Sequence, residues 1–464
     1  MNFKLILLGT ACIIQFSAFA QNQESRSFNL QQAGEYAVKN SYSVKNALAD
    51  REIARKTIWE TTAIGLPQIS GTVNYQNMVD IPTMLMPDFL TSAVVGVNQG
   101  LFGLDPIGPV PEAGFFPVQF GATHNADWGV TATQLLFSGE YIVGLQASRI
   151  FYDLSEKALL KSQNDIRESV AKSYYLVLVA EESYKILQEM VANTVLIRKE
   201  MEAMLKVGFI EDTDVDQMLL LEANLQNTLN NLATQVEIAN RLLKFQMGIN
   251  LNETIVLTDK LSDMLDMDGI VQVMIKDFQL ASNIEFQLME TQEGLAELSL
   301  RRQNSTYLPS VAAFATYSES GMNNKFELFD SSQDWFPTTI VGLSINIPIF
   351  SSGMRMAQVS KARLELEKTR TIKTQVSEGL QLNFQQSLLN LRTAHDTYQT
   401  EKKNLELSER IFNKTTIKYR EGIASSLDLT QVQNQLLSTQ TNYFRAMVDM
   451  LNAKAELEKL HSGR

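Results

Sequence analysis

Residues Leu343 to Lys368 read LSINIPIFSSGMRMAQVSKARLELEK. The first part alternates. Val341, Leu343, Ile345, Ile347 and Ile349 share one face, and Gly342, Ser344 and Asn346 share the other, which is the period of two of a half-buried β-strand. From Gly353 to Gly422 there is no proline and only Gly379 interrupts, so a helix close to 70 residues and about 100 Å long is predicted. One string thus contains a strand, its exit and the start of a helix far longer than globular domains use.

The same string occurs earlier in weaker form. Leu136-Phe137-Ser138-Gly139 matches Ile349-Phe350-Ser351-Ser352-Gly353, Leu66-Pro67 with Tyr75 matches Leu308-Pro309 with Tyr317, and Gly208 with Asp214-Val215 matches Gly422 with Asp428-Leu429. The order is preserved, so the chain reads as a duplicated unit, with a first repeat over 21–250, a connecting segment over 251–270 and a second repeat over 271–464. Each repeat is expected to run helix (Leu30 to Leu66; Val271 to Leu308), β-hairpin (68–137; 310–350), long helix, glycine tip and return helix (Asp214 to Gln246; Asp428 to Leu460). Apolar positions recur at three and four along Ile166, Val170, Tyr174 and Val177, and with polar interruptions along Leu382, Leu389, Leu391, His395 and Tyr398. Such helices pack through narrow seams.

The first twenty residues are a secretory address: Lys4, an apolar run from Leu5 to Phe16, and the small-x-small site Ala18-Phe19-Ala20. Cys12, the only cysteine, lies inside it, so the processed chain is expected to have neither disulfide nor thiol chemistry. A formal net charge of -12 gives nucleic acid no basic footprint. No apolar run after the leader is long enough for a membrane helix.

Strands remain as the means of crossing. Gln68, Ser70, Thr72, Asn74 and Gln76 alternate with Ile69, Gly71, Val73 and Tyr75; Trp128, Val130, Ala132 and Leu136 alternate with Gly129, Thr131 and Thr133; Ser310 to Tyr317 is small on both faces. Any half-buried antiparallel hairpin alternates in this way. Behind a secretory leader, however, strands of this length are long enough to cross a bilayer when tilted. Four strands do not close a barrel, and open edges in lipid cost several kcal/mol per unpaired group, so several copies must combine.

These residues resemble the TolC-like outer-membrane efflux protein family. FNLQQAGEYAVKNSYSVKNALADREIARKTIWETTAIGLPQIS from Phe28 is similar to the family's opening helix and Leu-Pro strand entry, the string from Leu343 to its exit into a long helix, and KFQMGINLN from Lys244 to the join between halves. The resemblance implies an α+β membrane protein: a homotrimer whose twelve strands close one barrel and whose long antiparallel coiled-coil helices form a periplasmic tunnel. It implies a passive export duct of a tripartite efflux or type I secretion system, docked to a periplasmic adaptor (a membrane fusion protein) and an inner-membrane RND or ABC pump. Localisation in the outer membrane follows, with extension into the periplasm.

The resemblance also assigns residues. Val207, Gly208 and Phe209, with Gly422 and Ile423, correspond to the adaptor-docking tips, Glu421 replacing the usual valine of the second. Asp214 and Tyr419 correspond to a closing bond, while Ala424 stands where an arginine link is usual. Asp428 matches one of two entrance aspartates and Gln431 replaces the other; Asp212 and Asp216 lie close by in sequence.

No P-loop, nucleophile elbow or zincin string occurs, and His124, His395 and His461 are far apart in the sequence. An enzyme is not expected, nor a cofactor. Asp212-Thr213-Asp214-Val215-Asp216 superficially matches a calcium loop, but Gln217 and Ala223 occupy the positions of the turn glycine and the bidentate glutamate; no metal is expected, and Asp212 or Thr213 is expected to cap the returning helix. The long insert at 79–126, rich in apolar residues and proline, is expected on the outer side as a self-packed Ω-loop, a lid or a surface for a neighbour. A soluble periplasmic coiled-coil adaptor or scaffold is the alternative function; it accounts for the helices and leaves the strands unexplained.

Overall fold

The structure is a computed structural model that describes residues 26–104, 114–328 and 330–461. The leader at 1–20 and Cys12 lie outside them. In chain order the elements are β1 (Arg26–Phe28), α1 (Leu30–Asn40), α2 (Tyr42–Ile64), β2 (Gln68–Asn77), β3 (Thr83–Pro87), α3 (Phe89–Phe102), β4 (Phe115–Gln119), β5 (His124–Phe137), α4 (Gly139–Lys206), α5 (Asp212–Met247), β6 (Ile255–Leu257), α6 (Leu261–Met264), α7 (Met267–Ile275), α8 (Ile284–Ser305), β7 (Ser310–Asn323), β8 (Phe336–Asn346), α9 (Met354–Arg420) and α10 (Ser426–His461). α4 has 68 residues and α9 has 67, about 100 Å each. Among the described residues no helix is long and apolar enough to cross a membrane.

The chain divides into two compact units, and both draw on both halves of the chain. One takes residues up to Arg51, Leu154–Glu290 and those from Ile372 onward; the other takes Glu52–Asp153 and Thr291–Thr371.

The second of these units holds the sheet, in the order β2-β5-β7-β8. Pairing is antiparallel throughout, from Gln68↔Thr133 to Asn77↔His124, from Thr133↔Phe314 along β5 and β7, and from Ser310↔Asn346 to Ser320↔Phe336. Partners share a face, so register sorts the side chains. One face carries Ser70, Thr72, Asn74, Thr131, Asp127, Thr316 and Ser318; on it the Asn74 amide donates to the Asp127 carboxylate at 2.8 Å and the Thr131 and Thr316 hydroxyls meet at 3.1 Å. The other carries Ile69, Val73, Val130, Trp128, Tyr317, Val341, Leu343 and Ile345, and it is bare: Val73 is 83% exposed, Val341 77% and Leu343 65%. Edge strands β2 and β8 are each paired on one side only.

Several boundaries differ from the sequence reading. β8 stops at Asn346, because Pro348 offers no backbone donor to a ladder, and Ile347 and Ile349 therefore fall outside the strand. β7 and β5 are longer than expected, and β5 shifts register between Leu135 and Phe137. The helix expected from Val271 to Leu308 is interrupted: α7 ends at Ile275 and α8 begins after Asn283, whose Oδ1 accepts the Glu285 amide at 2.9 Å. The helix expected from Leu30 breaks at Ser41, which is extended. The insert is not an Ω-loop; β3 and β4 pair as a hairpin and α3 lies between them in the chain.

In the helical unit β1 pairs in parallel with β6, so the start of the first repeat is stitched to the connecting segment. The Tyr174 hydroxyl donates to the Phe28 carbonyl at 3.0 Å and to Asp259 at 3.0 Å, and Asp259 also accepts the Leu30 amide at 2.7 Å, giving α1 an acidic cap. Around this point Phe28, Ala33, Ala37, Ile166, Val170, Tyr174, Leu243 and Met247 are buried together. Further along the same helices Leu187, Met190, Val191, Ile197 and Met201 of α4 meet Met218, Leu221 and Leu225 of α5 and Leu429 and Leu436 of α10, a seam with steps of three and four. Within the seam the Gln433 amide donates to the buried Thr194 hydroxyl. A polar pair at such a position favours one axial register over others.

Candidate functional site

Two glycine turns close the α4–α5 and α9–α10 pairs, and the chain builds them alike. Gly208 has φ 78° and Gly422 has φ 73°. The Gly208 amide donates to Leu205 O at 2.9 Å and the Phe209 amide to Met204 O at 3.0 Å; the Gly422 amide donates to Tyr419 O at 2.9 Å and the Ile423 amide to Lys418 O at 2.8 Å. Both are Schellman ends, which satisfy the last carbonyls of a helix and require the left-handed conformation that glycine adopts without penalty. A Cβ added at either glycine meets nothing within 4 Å, so conformation alone selects glycine. The residues beside them project outward: Phe209 is 82% exposed, Ile423 70% and Val207 66%.

The returning helices also begin alike. The Asp214 carboxylate accepts the Glu211 amide at 3.1 Å, and the Asp428 carboxylate accepts the Ser425 amide at 2.9 Å and the Ser425 hydroxyl at 2.8 Å. The Ser425 hydroxyl in turn accepts the Asp428 amide at 3.1 Å, completing a capping box. These bonds from the Ser425 backbone and side chain hold the Asp428 carboxyl below its ordinary range. The N-cap is Glu211 and not the expected Asp212 or Thr213, with Asp214 as the N3 partner of its capping box, while the Asp212 side chain accepts the adjacent Thr213 amide at 2.9 Å.

The contact between the tips differs from the expected one. The Tyr419 hydroxyl is buried and has no hydrogen-bond partner among the described residues, although Asp214 and Glu200 lie near enough that burial and their charges raise its pKa. The second oxygen of Asp214 instead accepts the hydroxyl of Ser426, a buried residue of α10. The link from tip to tip is therefore serine to aspartate. Arg420 adds a bidentate pair, with Nε and Nη2 at 3.1 and 3.2 Å from the Glu200 carboxylate; being exposed, it contributes about 0–1 kcal/mol. Neither Ser426 nor Glu200 carries a sequence signal, because each is defined by a residue more than two hundred positions away. Asp212, Asp216 and Asp428 are all exposed.

The resemblance to TolC-like efflux proteins implies that these turns gate a duct. Ser426→Ala deletes the hydrogen bond to a carboxylate, worth about 1.5–3 kcal/mol, and is expected to raise single-channel conductance, whereas Tyr419→Phe removes a hydroxyl that bonds to nothing and is expected to leave conductance unchanged. An equal rise in both variants in planar bilayers would restore the tyrosine-aspartate lock.

Residues 279–463 match the family model described as outer membrane efflux protein. The whole chain is similar in fold to solved structures. With CusC the TM-score is 0.69 at 16% identity over 93% of this chain and 92% of the other. With the open state of the MtrE outer membrane channel of Neisseria gonorrhoeae it is 0.68 at 16% identity, covering 94% and 89%, and with the CmeC outer membrane channel of Campylobacter jejuni 0.67 at 14% identity, covering 100% and 94%. No curated protein matches in sequence.

Proposed function

We infer that this chain, whose residues 279–463 match the outer membrane efflux protein model and whose fold is similar to those of outer membrane channels, is the passive outer-membrane duct of a tripartite export system. The sheet carries the inference. It is mainly polar on one face, with Phe314, Ile340 and Phe336 as exceptions, mainly apolar and bare on the other, with Glu319 as the exception, and open at both edges, so it is suited to a barrel with a wet interior and a lipid-facing exterior. Its edges match when β8 of one copy meets β2 of the next, since alternate strands run antiparallel. Three copies supply twelve strands and close the ring, as the family resemblance implies. A soluble periplasmic scaffold would leave that apolar face in water, and the alternative is not favoured.

The partners of this reading are two further copies of the chain, a periplasmic adaptor seated on Val207, Gly208, Phe209, Gly422 and Ile423, and an inner-membrane pump that supplies the energy. The duct performs no reaction of its own. Asp428, with Asp212 and Asp216, would gather three-fold at the periplasmic entrance, where low-dielectric walls strengthen their field.

The test is electrical. The purified protein in a planar bilayer is expected to form a small-conductance channel that trivalent cations block from the periplasmic side. Asp428→Ala and raised salt are both expected to weaken the block. Blockade untouched by Asp428→Ala would leave the aspartate as a helix cap and nothing more; absence of any channel would overturn the duct.

A further inference from the structure

Between β2 and β5, strands β3 and β4 pair from Thr83↔Gln119 to Pro87↔Phe115, with Phe89 of α3 against Phe116 at 6.4 Å between ring centroids. Little of the apolar surface is used up in this way. α3 has no charged residue in its 14, and Leu85, Val94, Val97, Leu101, Phe102 and Phe115 are all exposed. Apolar surface so concentrated calls for a partner.

We propose that the insert of each copy packs against the neighbouring copy and forms an apolar collar at the outer end of the barrel. The proposal rests on the trimeric barrel reading. Position supports it: the insert grows from the end of β2, the edge strand whose free side meets β8 of the next copy in a closed ring, so it rises at the seam between copies. Charge decides against the lipid surface as occupant. From Val79 to Thr123 the sequence has no Lys or Arg, and its ionisable carboxyls are Asp80, Asp88, Asp105 and Glu112, whereas segments that lie on anionic lipid place Lys and Arg on their polar face. An acidic, otherwise apolar insert is repelled by such a surface and gains by covering its apolar side chains with another copy of itself.

Site-specific photocrosslinking in intact cells tests this. Leu101 and Phe102 are replaced singly by p-benzoylphenylalanine in the full-length chain, irradiated, and the products separated on a denaturing gel after heating. The expected product is an adduct of twice the chain mass containing this chain only, while the same probe at Val73, on the bare face of the sheet, gives lipid adducts. Lipid adducts alone at Leu101 and Phe102, or crosslinks only within one chain, would overturn the collar. An unheated, unirradiated sample of the unsubstituted protein reads the trimer separately: a trimer without chain-to-chain adducts defeats the collar only, and a monomer defeats the barrel reading and the collar together. As a second readout, Leu101→Glu with Phe102→Glu is expected to lower the temperature at which the trimer dissociates in detergent; an unchanged temperature counts against the collar.

Discussion

Leu343→Lys combined with Ile345→Lys is expected to remove the protein from the outer membrane. Both side chains lie on the apolar face of β8, 65% and 59% exposed, and β8 is an edge strand through which the proposed ring would close. A cation at the midplane of a lipid face costs about 2–4 kcal/mol, so the pair costs about 4–8 kcal/mol per copy, comparable with the whole stability of many folded proteins. Ile347 is a poorer choice than the alternation in the sequence suggests, since it lies beyond the end of the strand. Membrane fractionation and an unheated gel are the measurements: the double variant is expected in aggregates or degraded, with no trimer. A normal yield of outer-membrane trimer would place this face away from lipid.

The second large effect is expected at the tips. On the proposed docking, Gly208→Trp and Gly422→Trp should each abolish co-purification of a periplasmic adaptor while the proposed trimer still forms. An alanine at either position meets no neighbour within 4 Å and pays only for the left-handed backbone, about 1–2 kcal/mol, so Gly208→Ala is expected to retain docking with slightly reduced stability. The contrast separates the roles. If alanine and tryptophan fail together, the glycines act through helix reversal; if tryptophan fails alone, the space above the turn is where the adaptor sits. Retention of the adaptor by both tryptophan variants would take the tips out of the mechanism.

Much of the architecture was legible because its signals are local. Alternation at 68–76 and 341–346 and long runs free of proline do not depend on what lies elsewhere in the chain, and the glycines at 208 and 422 report a backbone conformation that few other residues adopt. Duplication added weight by making each weak string occur twice in the same order. Boundaries were less legible. The helical pattern stops at Ile275 and restarts after Asn283, whose side chain accepts the Glu285 amide, and Ser41 breaks a helix with a backbone angle that its composition does not announce. The insert likewise reads as irregular until β3 finds β4 across the segment that contains α3.

What the sequence alone determined is the periodicity of each segment, hence helix or strand, and the places where direction reverses. Only the tertiary structure decided which groups satisfy one another. Tyr419 and Asp214 are neighbours, as the resemblance implied, yet the bond to the carboxylate comes from Ser426. A hydroxyl donates or does not according to tenths of an ångström and tens of degrees, and those are set by how the α4–α5 and α9–α10 pairs pack along the seam from Leu187 to Leu436. Periodicity is a property of one segment and can be read along the chain; a hydrogen bond between residues 212 positions apart is a property of packing and can be read only after the chain has folded.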